Sequence, residues 1–379
     1  MHFDDEARYG TVFFFVTHPL LLATHSDREL AGWLYALQLL ALGVGFACTW
    51  ATLRPLAPAR DRPLVAAWLA VLWLNFAPVY MTLAVKSVEN WELALLAIAL
   101  YAYVRGRLWV MGFAVAAAAL VKVLPLFFFY YLVLTDRRAF VRALGALLVV
   151  LAAGHLIYGP LMGFLYLPHI ASAAVGKSYG IVWHENLSLK AAVVKLFGHL
   201  GTPELDGGYL LRISDEQLKV AAALGDAAVV AVAILFTWAL LRNRARSTES
   251  IVWEWSFVSV VMLIVSPNTT FEYATLALGA LSYAGVRAAT MASASKVTSS
   301  AWVCLGTSML LLGVLLPRQV LNRVTFVEAL NRYTGYTHLT PSEAYQFYCF
   351  PLLGLLLLTA ALWQLRSQGS TAAALRPTS

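Results

Sequence analysis

The sequence predicts an all-α polytopic integral membrane protein with about 10 to 12 transmembrane or re-entrant helices. The composition is the first reason. Hydrophobic residues make up 60% of the 379 residues, charged residues make up only 12%, and the mean hydropathy is +0.72. A chain with so few polar side chains cannot cover a water-exposed surface, so we expect no soluble domain of ordinary size.

The second reason is that apolar segments long enough to cross a bilayer recur along the chain. The predicted spans are 30–53, 64–84, 91–104, 139–158, 219–241, 251–266, 271–289, 300–317 and 345–365, with a shorter pair at 108–121 and 124–134. We therefore divide the chain into a segment 1–29, with an outer loop and a short re-entrant apolar helix, a multi-helix membrane domain 30–365, and a disordered cytoplasmic tail 366–379.

The third reason is the separation of charge between loops. The loops 54–62, 105–107, 136–138 and 242–246, the turn at 287–296 and the tail, counted with Arg142, Glu249 and Glu254, carry 15 basic and 4 acidic residues. The rest of the chain carries 12 basic and 16 acidic residues. By the positive-inside rule the first group is cytoplasmic, in a plasma membrane protein with a cytoplasmic C-terminus. Any active site is then expected on the outer face, where the acidic residues lie.

Lys122 interrupts an otherwise apolar stretch, LVKVLPLFFFYYLVLTDRR (120–138). A charge near the centre of a lipid-facing helix costs at least roughly 2.5–3.5 kcal/mol. Because the Arg-rich loops on both sides of 108–135 are assigned to the cytoplasm, this segment must turn back at the outer face, and Pro125 cannot continue its first helix. Lys122 is then either a snorkelling interface lysine or a contact for an anionic ligand.

A series of short motifs follows the chain through this region. In order they are Asn90, Arg105-Gly106-Arg107, Lys122 with Pro125, Arg137-Arg138, ENLSL (185–189) and SPNTTFEY (266–273). Their order and spacing over 70–289 resemble glycosyltransferase family 87, a group in the GT-C superfamily that includes polyprenol-phosphate-mannose-dependent alpha-mannosyltransferases. The sequence departs from the family pattern at Ser87-Val88-Glu89, where the family has Gly-Gln.

The resemblance implies a GT-C-like enzyme that moves a hexose, mannose-like, from a polyprenyl-phosphate sugar to a glycolipid or glycan acceptor among the membrane lipids. Family members usually begin with one more helix and a loop that bears a catalytic Asp, and Tyr9-Gly10-Thr11 resembles the step after that loop. We therefore expect a truncated start. Asp4, Asp5 and Glu272 are the candidate catalytic carboxylates, with Glu185 as a further one.

Transfer from a phosphate requires cationic groups for the phosphate and a carboxylate for the proton of the acceptor hydroxyl. Lys122 is the candidate phosphate contact, and Arg323 and Arg332 are weaker candidates. Asn90 and Tyr273 match or lie near family motif positions. The simpler interpretation of Asn90 is a cap for the helix that starts at Trp91.

The loop WHENLSL (183–189) combines an aromatic ring, a histidine, an acid and an amide. Aromatic faces stack on sugar rings, and carboxylates and amides bind hydroxyl groups, so Trp183, His184, Glu185 and Asn186 are candidate acceptor contacts. The structural interpretation is an interfacial aromatic belt followed by a helix N-cap at Asn186 or Ser188. For Glu272, the structural alternative is stabilisation of a helix N-terminus.

Other classes of function are disfavoured by what the sequence contains. There is no H-x-E, H-E-x-x-H, D-x-D or C-x-x-C spacing, so no metal or other cofactor is expected, with a divalent cation between outer acids as a minor alternative, and nothing suggests nucleic-acid binding. A secondary transporter or lipid flippase remains an alternative, with Asp226 as its mid-helix carboxylate, although no internal repeat supports it. A non-catalytic family relative is a third possibility.

Overall fold

The computed structural model describes residues 10–168, 182–203, 209–242, 247–292, 298–313, 331–332 and 339–374. This part of the chain is almost entirely helical, which confirms the all-α polytopic fold class. One two-stranded antiparallel hairpin is the exception. The predictions at Asp4, Asp5 and Arg323 lie outside the described residues.

The structure describes fifteen helices. They are α1 (Thr11–Ala23), α2 (Asp27–Leu53), α3 (Arg62–Leu74), α4 (Ala77–Ala84), α5 (Glu89–Val104), α6 (Leu108–Val121), α7 (Phe127–Thr135), α8 (Arg137–Tyr158), α9 (Leu189–Lys195), α10 (Asp215–Leu241), α11 (Thr248–Val265), α12 (Leu278–Ala292), α13 (Ser299–Leu311), α14 (Pro341–Phe347) and α15 (Phe350–Ala374), with the hairpin of β1 (His199–Pro203) and β2 (Tyr209–Arg212) after α9. Among the described residues, α2, α8, α10 and α11 are long and apolar enough to cross a membrane, and shorter apolar helices accompany them.

The chain divides into two compact units. The first comprises Met1–Thr52, Thr82–Lys177 and Leu240–Val252, and the second comprises Leu53–Met81, Ser178–Ala239 and Trp253–Ser379. The division does not follow the order of the sequence, because each unit collects helices from separate parts of the chain.

In the first unit, α6 packs between α5 and α8. Its sequence, LWVMGFAVAAAALV, is rich in small residues, which let neighbouring helix backbones approach closely. A Cβ atom on Gly112 would lie only 2.9 Å from the carbonyl oxygen of Arg142 in α8. The start of α1 is fixed to the end of α6, since the backbone N–H of Gly10 donates to the carbonyl of Val121 at 3.0 Å.

The predicted turn between two short helices is present. Helix α6 ends at Val121, and Lys122 follows in an extended conformation with φ −153° and ψ 144°. A 3-10 turn at Leu124–Leu126 contains Pro125, and α7 begins at Phe127. Proline has no N–H to continue the hydrogen-bond ladder of α6, so the first helix must end before it.

In the second unit, aromatic side chains fill the spaces between helices. Trp253 and Phe257 of α11 stack with their ring centroids 4.9 Å apart, and the Trp253 indole donates to the carbonyl of Leu362 in α15 at 2.8 Å. Trp73 of α3 donates to the hydroxyl of Ser282 in α12 at 3.0 Å. Both of these buried indole N–H groups have an acceptor, as an apolar environment requires.

Two predicted spans are interrupted. The span 64–84 breaks into α3 and α4 because Pro78 excludes a continuous helix, and the N–H of Ala77 at the break donates to Gly313 at 3.2 Å. The span 345–365 breaks at Cys349, whose φ of 55° lies in the left-handed region. The last helix continues to Ala374, so the segment from Arg366 to Ala374 is helical where we predicted a disordered tail. Its alanines favour a helix.

Candidate functional site

The first turn of α5 is buried although it is made of polar side chains. Glu89, Asn90 and Glu92 are each 0% exposed. Lys122, whose side chain is 12% exposed, places its ammonium 2.6 Å from Oε1 of Glu89. This ion pair is inconsistent with a snorkelling lysine, whose ammonium would lie in water. We call Glu89, Glu92 and Lys122 the acidic cluster.

Glu92 distinguishes the acidic cluster from a simple ion pair. Among the described residues, neither of its carboxylate oxygens has a hydrogen-bond partner, and the same is true of Oε2 of Glu89. Glu92 lies one helical turn from Glu89 and interacts electrostatically with both Glu89 and Lys122. Burying an unpaired carboxylate costs several kcal/mol or more, so a structure rarely keeps one without a use.

Asn90 is held by another buried amide. Its Nδ2 donates to Oε1 of Gln38 in α2 at 3.0 Å, and the amide nitrogen of Gln38 donates to the carbonyl of Ser87. The prediction that Asn90 caps a helix starting at Trp91 is wrong. Helix α5 begins at Glu89, and its N-cap is Val88, which has no capping side chain.

An apolar cluster adjoins the start of α5. Val88, Trp91 and Val121 are buried, and residues of α1 and α2 pack against them, namely Val12, Phe13, Val16, Leu34, Leu37 and Ala41. The rings of Phe13 and Trp91 lie 6.0 Å apart. The burial of Glu89 and Glu92 strengthens their electrostatic interactions, because little water screens them.

In the second unit, the loop before α9 holds the predicted aromatic and acidic residues. The rings of Trp183 and His184 lie 5.6 Å apart. Glu185 approaches both, with Oε2 3.4 Å from the indole nitrogen of Trp183 and Oε1 3.9 Å from Nε2 of His184. His184 is buried, whereas the side chain of Glu185 is 37% exposed. Glu185 and Trp183 are therefore the members of this loop that a ligand can reach most directly.

Asn186 fastens this loop to the SPNTTFEY segment. Its Nδ2 donates to the carbonyl of Pro267 at 3.0 Å, and its Oδ1 accepts from the backbone N–H groups of Ser188 at 2.9 Å and Thr269 at 3.2 Å. Of the two predicted N-caps, Ser188 is the one that caps α9, accepting from the N–H of Ala191 at 3.1 Å. The two motifs, 81 residues apart in sequence, meet through the Asn186 amide.

Lys195, at the end of α9, is a buried residue that the sequence analysis did not single out. Its ammonium donates to the carbonyls of His184 at 2.7 Å, Asn186 at 2.8 Å and Gln346 at 3.3 Å. Burial lowers the pKa of Lys195, an effect that Cys349 and Glu185 partly oppose. We call Asn186 and Lys195 the loop anchor.

Glu272 and Tyr273 lie at the start of a 3-10 helix, Phe271–Ala277, that leads into α12. The hydroxyl of Thr270 donates to Glu272, and the N–H of Tyr273 donates to the carbonyl of Thr270 at 3.1 Å. Both side chains are half-buried. They belong to the segment that the loop anchor holds, so the second unit brings the predicted residues 183–186 and 272–273 onto one scaffold.

Two further predicted residues lie apart from these groups. The ammonium of Lys190 lies 2.7 Å from Oδ1 of Asp226. This ion pair explains why an apolar helix carries a carboxylate at its middle, and no transport role is needed to explain it. Arg332 is exposed. Within the part of the chain that the structure describes, no three His, Cys, Asp or Glu side chains are grouped to hold a metal ion.

Most of the chain matches the model of one protein family. The model of glycosyltransferase family 87 matches residues 8–267. The chain belongs to glycosyltransferase family 87. No curated protein matches the sequence. The family 87 match makes the protein a multi-pass membrane glycosyltransferase, an enzyme with a sugar donor and an acceptor.

The family 87 match covers the acidic cluster and the loop anchor, whereas Glu272, Gln346 and Cys349 lie beyond it. Sequence reasoning missed Gln38, Glu92 and Lys195. Each was visible only as a polar side chain within an apolar helix: Gln38 in α2, Glu92 in α5 and Lys195 in LKAAVVK. Such a residue is expensive in a membrane protein, and this is the signal by which it can be found.

Proposed function

We propose that this enzyme transfers a hexose, of the mannose type, from a polyprenyl-phosphate sugar to a glycolipid or glycan acceptor at the outer face of the plasma membrane. The observation that carries the proposal is the acidic cluster. It combines one ammonium with two carboxyl groups at the buried start of α5. Glycosyl transfer from a phosphate needs a cation for the leaving group and a carboxylate for the proton.

The roles follow from the bonds that change. The bond between the sugar C1 and the phosphate oxygen breaks, and its electron pair leaves with the phosphate, whose negative charge Lys122 matches. The acceptor oxygen forms the new bond to C1 and loses its proton to a carboxylate. We assign this proton to Glu92, because Glu89 already holds the Lys122 ammonium at 2.6 Å. Both carboxylates are buried, so substrate binding requires neighbouring residues to move.

The outer-face assignment rests on charge. Helix α5 begins at the acidic cluster and ends at Val104, where Arg105 and Arg107 follow. The acidic cluster and these arginines thus lie at opposite ends of one helix. The positive-inside rule assigns the arginine end to the cytoplasm, which leaves the cluster on the other side of the membrane. A lipid-linked donor fits this side, and the same rule makes the C-terminus cytoplasmic.

The test is replacement of Lys122 by Met in membranes that contain the enzyme. Transfer of labelled hexose from polyprenyl phosphate to glycolipid is measured, with enzyme level checked by immunoblot. We expect a loss of about 100-fold or more, as for the removal of other groups that stabilise developing charge.

Lys122→Met leaves Glu89 buried without its partner, so poor folding is a competing cause of inactivity. The double variant Lys122→Met/Glu89→Gln removes both charges and serves as the control. It should reach the wild-type membrane level and remain inactive. Wild-type activity in the double variant would remove Lys122 from the site.

A further inference from the structure

Lys195 differs from a ligand-binding lysine in the way its ammonium is used. An ammonium carries three N–H donors. Three carbonyls accept from Lys195, and the sulfur of Cys349 lies 3.4 Å away. The residue is 9% exposed, and the ammonium lies 5.8 Å from the ring centroid of Phe347. The side chain is thus turned into the protein, where a substrate does not reach it.

The three carbonyls belong to two separate segments. His184 and Asn186 lie on the loop that precedes α9, and Gln346 lies at the end of α14, just before the turn at Tyr348 and Cys349. Glu185, the exposed acid of the loop, stands between the two carbonyls that Lys195 holds. The ammonium therefore fixes the backbone on both sides of Glu185.

We propose that Lys195 is the positioning residue that holds Trp183 and Glu185 in place for the sugar of the acceptor, and that the turn at 346–349 is part of the same site. This inference rests on the proposed function, which makes the acceptor a glycolipid or glycan. It extends the site beyond residue 267, where the family match ends.

The pH dependence follows from the burial of Lys195. Its pKa is lowered by burial, while Glu185 of the loop and Cys349 of the turn favour the charged form. The segments that contribute the carbonyls bound by Lys195 also carry the titratable side chains of His184, Glu343, Tyr345 and Tyr348. As the pH rises through the lowered pKa, the native protein loses one N–H donor that holds the loop.

Global stability moves in the opposite direction. The unfolded chain keeps the Lys195 proton to a higher pH than the native protein does. Unfolding therefore takes up a proton in this window, and the free energy of unfolding rises with pH as far as Lys195 is concerned. Weaker acceptor binding at alkaline pH thus separates a positioning role from a general loss of stability.

The kinetic test compares Lys195→Met and Lys195→Arg with wild type and with Lys219→Met, a matched control at an exposed lysine of α10. We expect Lys195→Met to raise the KM for the acceptor by about tenfold to a hundredfold, where each tenfold is 1.4 kcal/mol. The KM for the donor should stay within about twofold, because the loop that Lys195 holds is proposed to contact the acceptor and not the donor.

Lys195→Arg provides the conservative variant. Its guanidinium stays protonated at every pH of interest, so the alkaline rise in acceptor KM seen in wild type should move to higher pH or disappear. An unchanged acceptor KM in Lys195→Met, or the same alkaline limb in Lys195→Arg and wild type, overturns the proposal. If Lys195→Met does not fold, the wild-type and Lys195→Arg pH profiles still decide.

A second readout does not depend on transfer. In a Cys48→Ser/Cys304→Ser background, Cys349 is the remaining thiol, and its rate of maleimide labelling reports the opening of the turn. Lys195→Met should label at least about tenfold faster than Lys219→Met at the same pH, since exposure controls the reaction. Equal rates overturn the positioning role. If Lys195→Met is labelled faster but the wild-type protein shows no hexosyl transfer, the proposed function is wrong, while the anchoring of the loop by Lys195 still holds.

Discussion

The two units each bury a lysine, and they treat it in opposite ways. In the acidic cluster, Lys122 meets Glu89, and the neighbouring Glu92 has no hydrogen-bond partner among the described residues. In the loop anchor, Lys195 donates to three backbone carbonyls. A charge surrounded by backbone acceptors stabilises one conformation, whereas a buried carboxyl group without a hydrogen-bond partner is a cost that often marks a functional site. The comparison contrasts the group that we propose to react with one that supports the structure.

Glu92→Gln should have the largest effect on transfer. The amide cannot take the acceptor proton, so we expect the rate to fall by about 100-fold, the lower range for general base catalysis. The thermal midpoint should stay the same or rise, because the variant removes a buried carboxylate that has no partner. Rates are measured at saturating donor and acceptor, and stability by thermal unfolding in detergent. Full activity with lower stability would make Glu92 a structural residue and end the contrast between the units.

Asn186→Ala should have the largest effect on stability. It leaves the N–H groups of Ser188 and Thr269 without their partner, and it removes one of the two donors to the carbonyl of Pro267, the other being the hydroxyl of Ser188 at 3.3 Å. Each buried group without a partner costs about 1–3 kcal/mol, so the thermal midpoint should drop by several degrees. Asn75→Ala, which removes an exposed hydrogen bond to Val71, is the control and should change little. A midpoint equal to that of the control would show that the loop anchor does not hold the two loops together.

Asp136→Ala tests the contrast with a carboxylate that has partners. Asp136 caps α8 by accepting from the N–H groups of Arg138 and Ala139, each at 3.1 Å, and it accepts from Tyr103 at 3.0 Å. Loss of a cap costs about 1 kcal/mol. We expect a small loss of stability and unchanged kcat, the reverse of Glu92→Gln. A large loss of transfer in a well-folded Asp136→Ala enzyme would contradict the division into reacting and supporting groups.

The fold was predictable where a local pattern determines it. Hydropathy placed the long helices, and Pro125 placed the end of α6, because both effects act within a few residues of sequence. The break at Pro78 follows from the same chemistry, and its signal was present in the sequence. The mean hydropathy of the whole segment stays high across this break, so hydropathy alone predicted one span at 64–84.

The candidate site was predictable only in part. Lys122 and the ENLSL motif carry a visible signal, since polar residues stand out in apolar surroundings. The residues that bind them carry no such signal in the sequence. Glu89 lies 33 residues from Lys122, and Gln346 lies 151 residues from Lys195, so pairing depends on how helices pack. Asn90 shows the limit most clearly, because a residue suited to a helix cap instead binds Gln38 from another helix.

These two sequence separations also set an order of assembly. A chain made from its N-terminus has both members of the Lys122–Glu89 pair soon after α6 is synthesised. Lys195 obtains its Gln346 carbonyl only when α14 has been made, 151 residues further along the chain. A partly synthesised enzyme in the membrane would therefore contain the acidic cluster while the loop before α9 is still unfastened. Under the proposed function, acceptor binding then waits until the ribosome has synthesised α14.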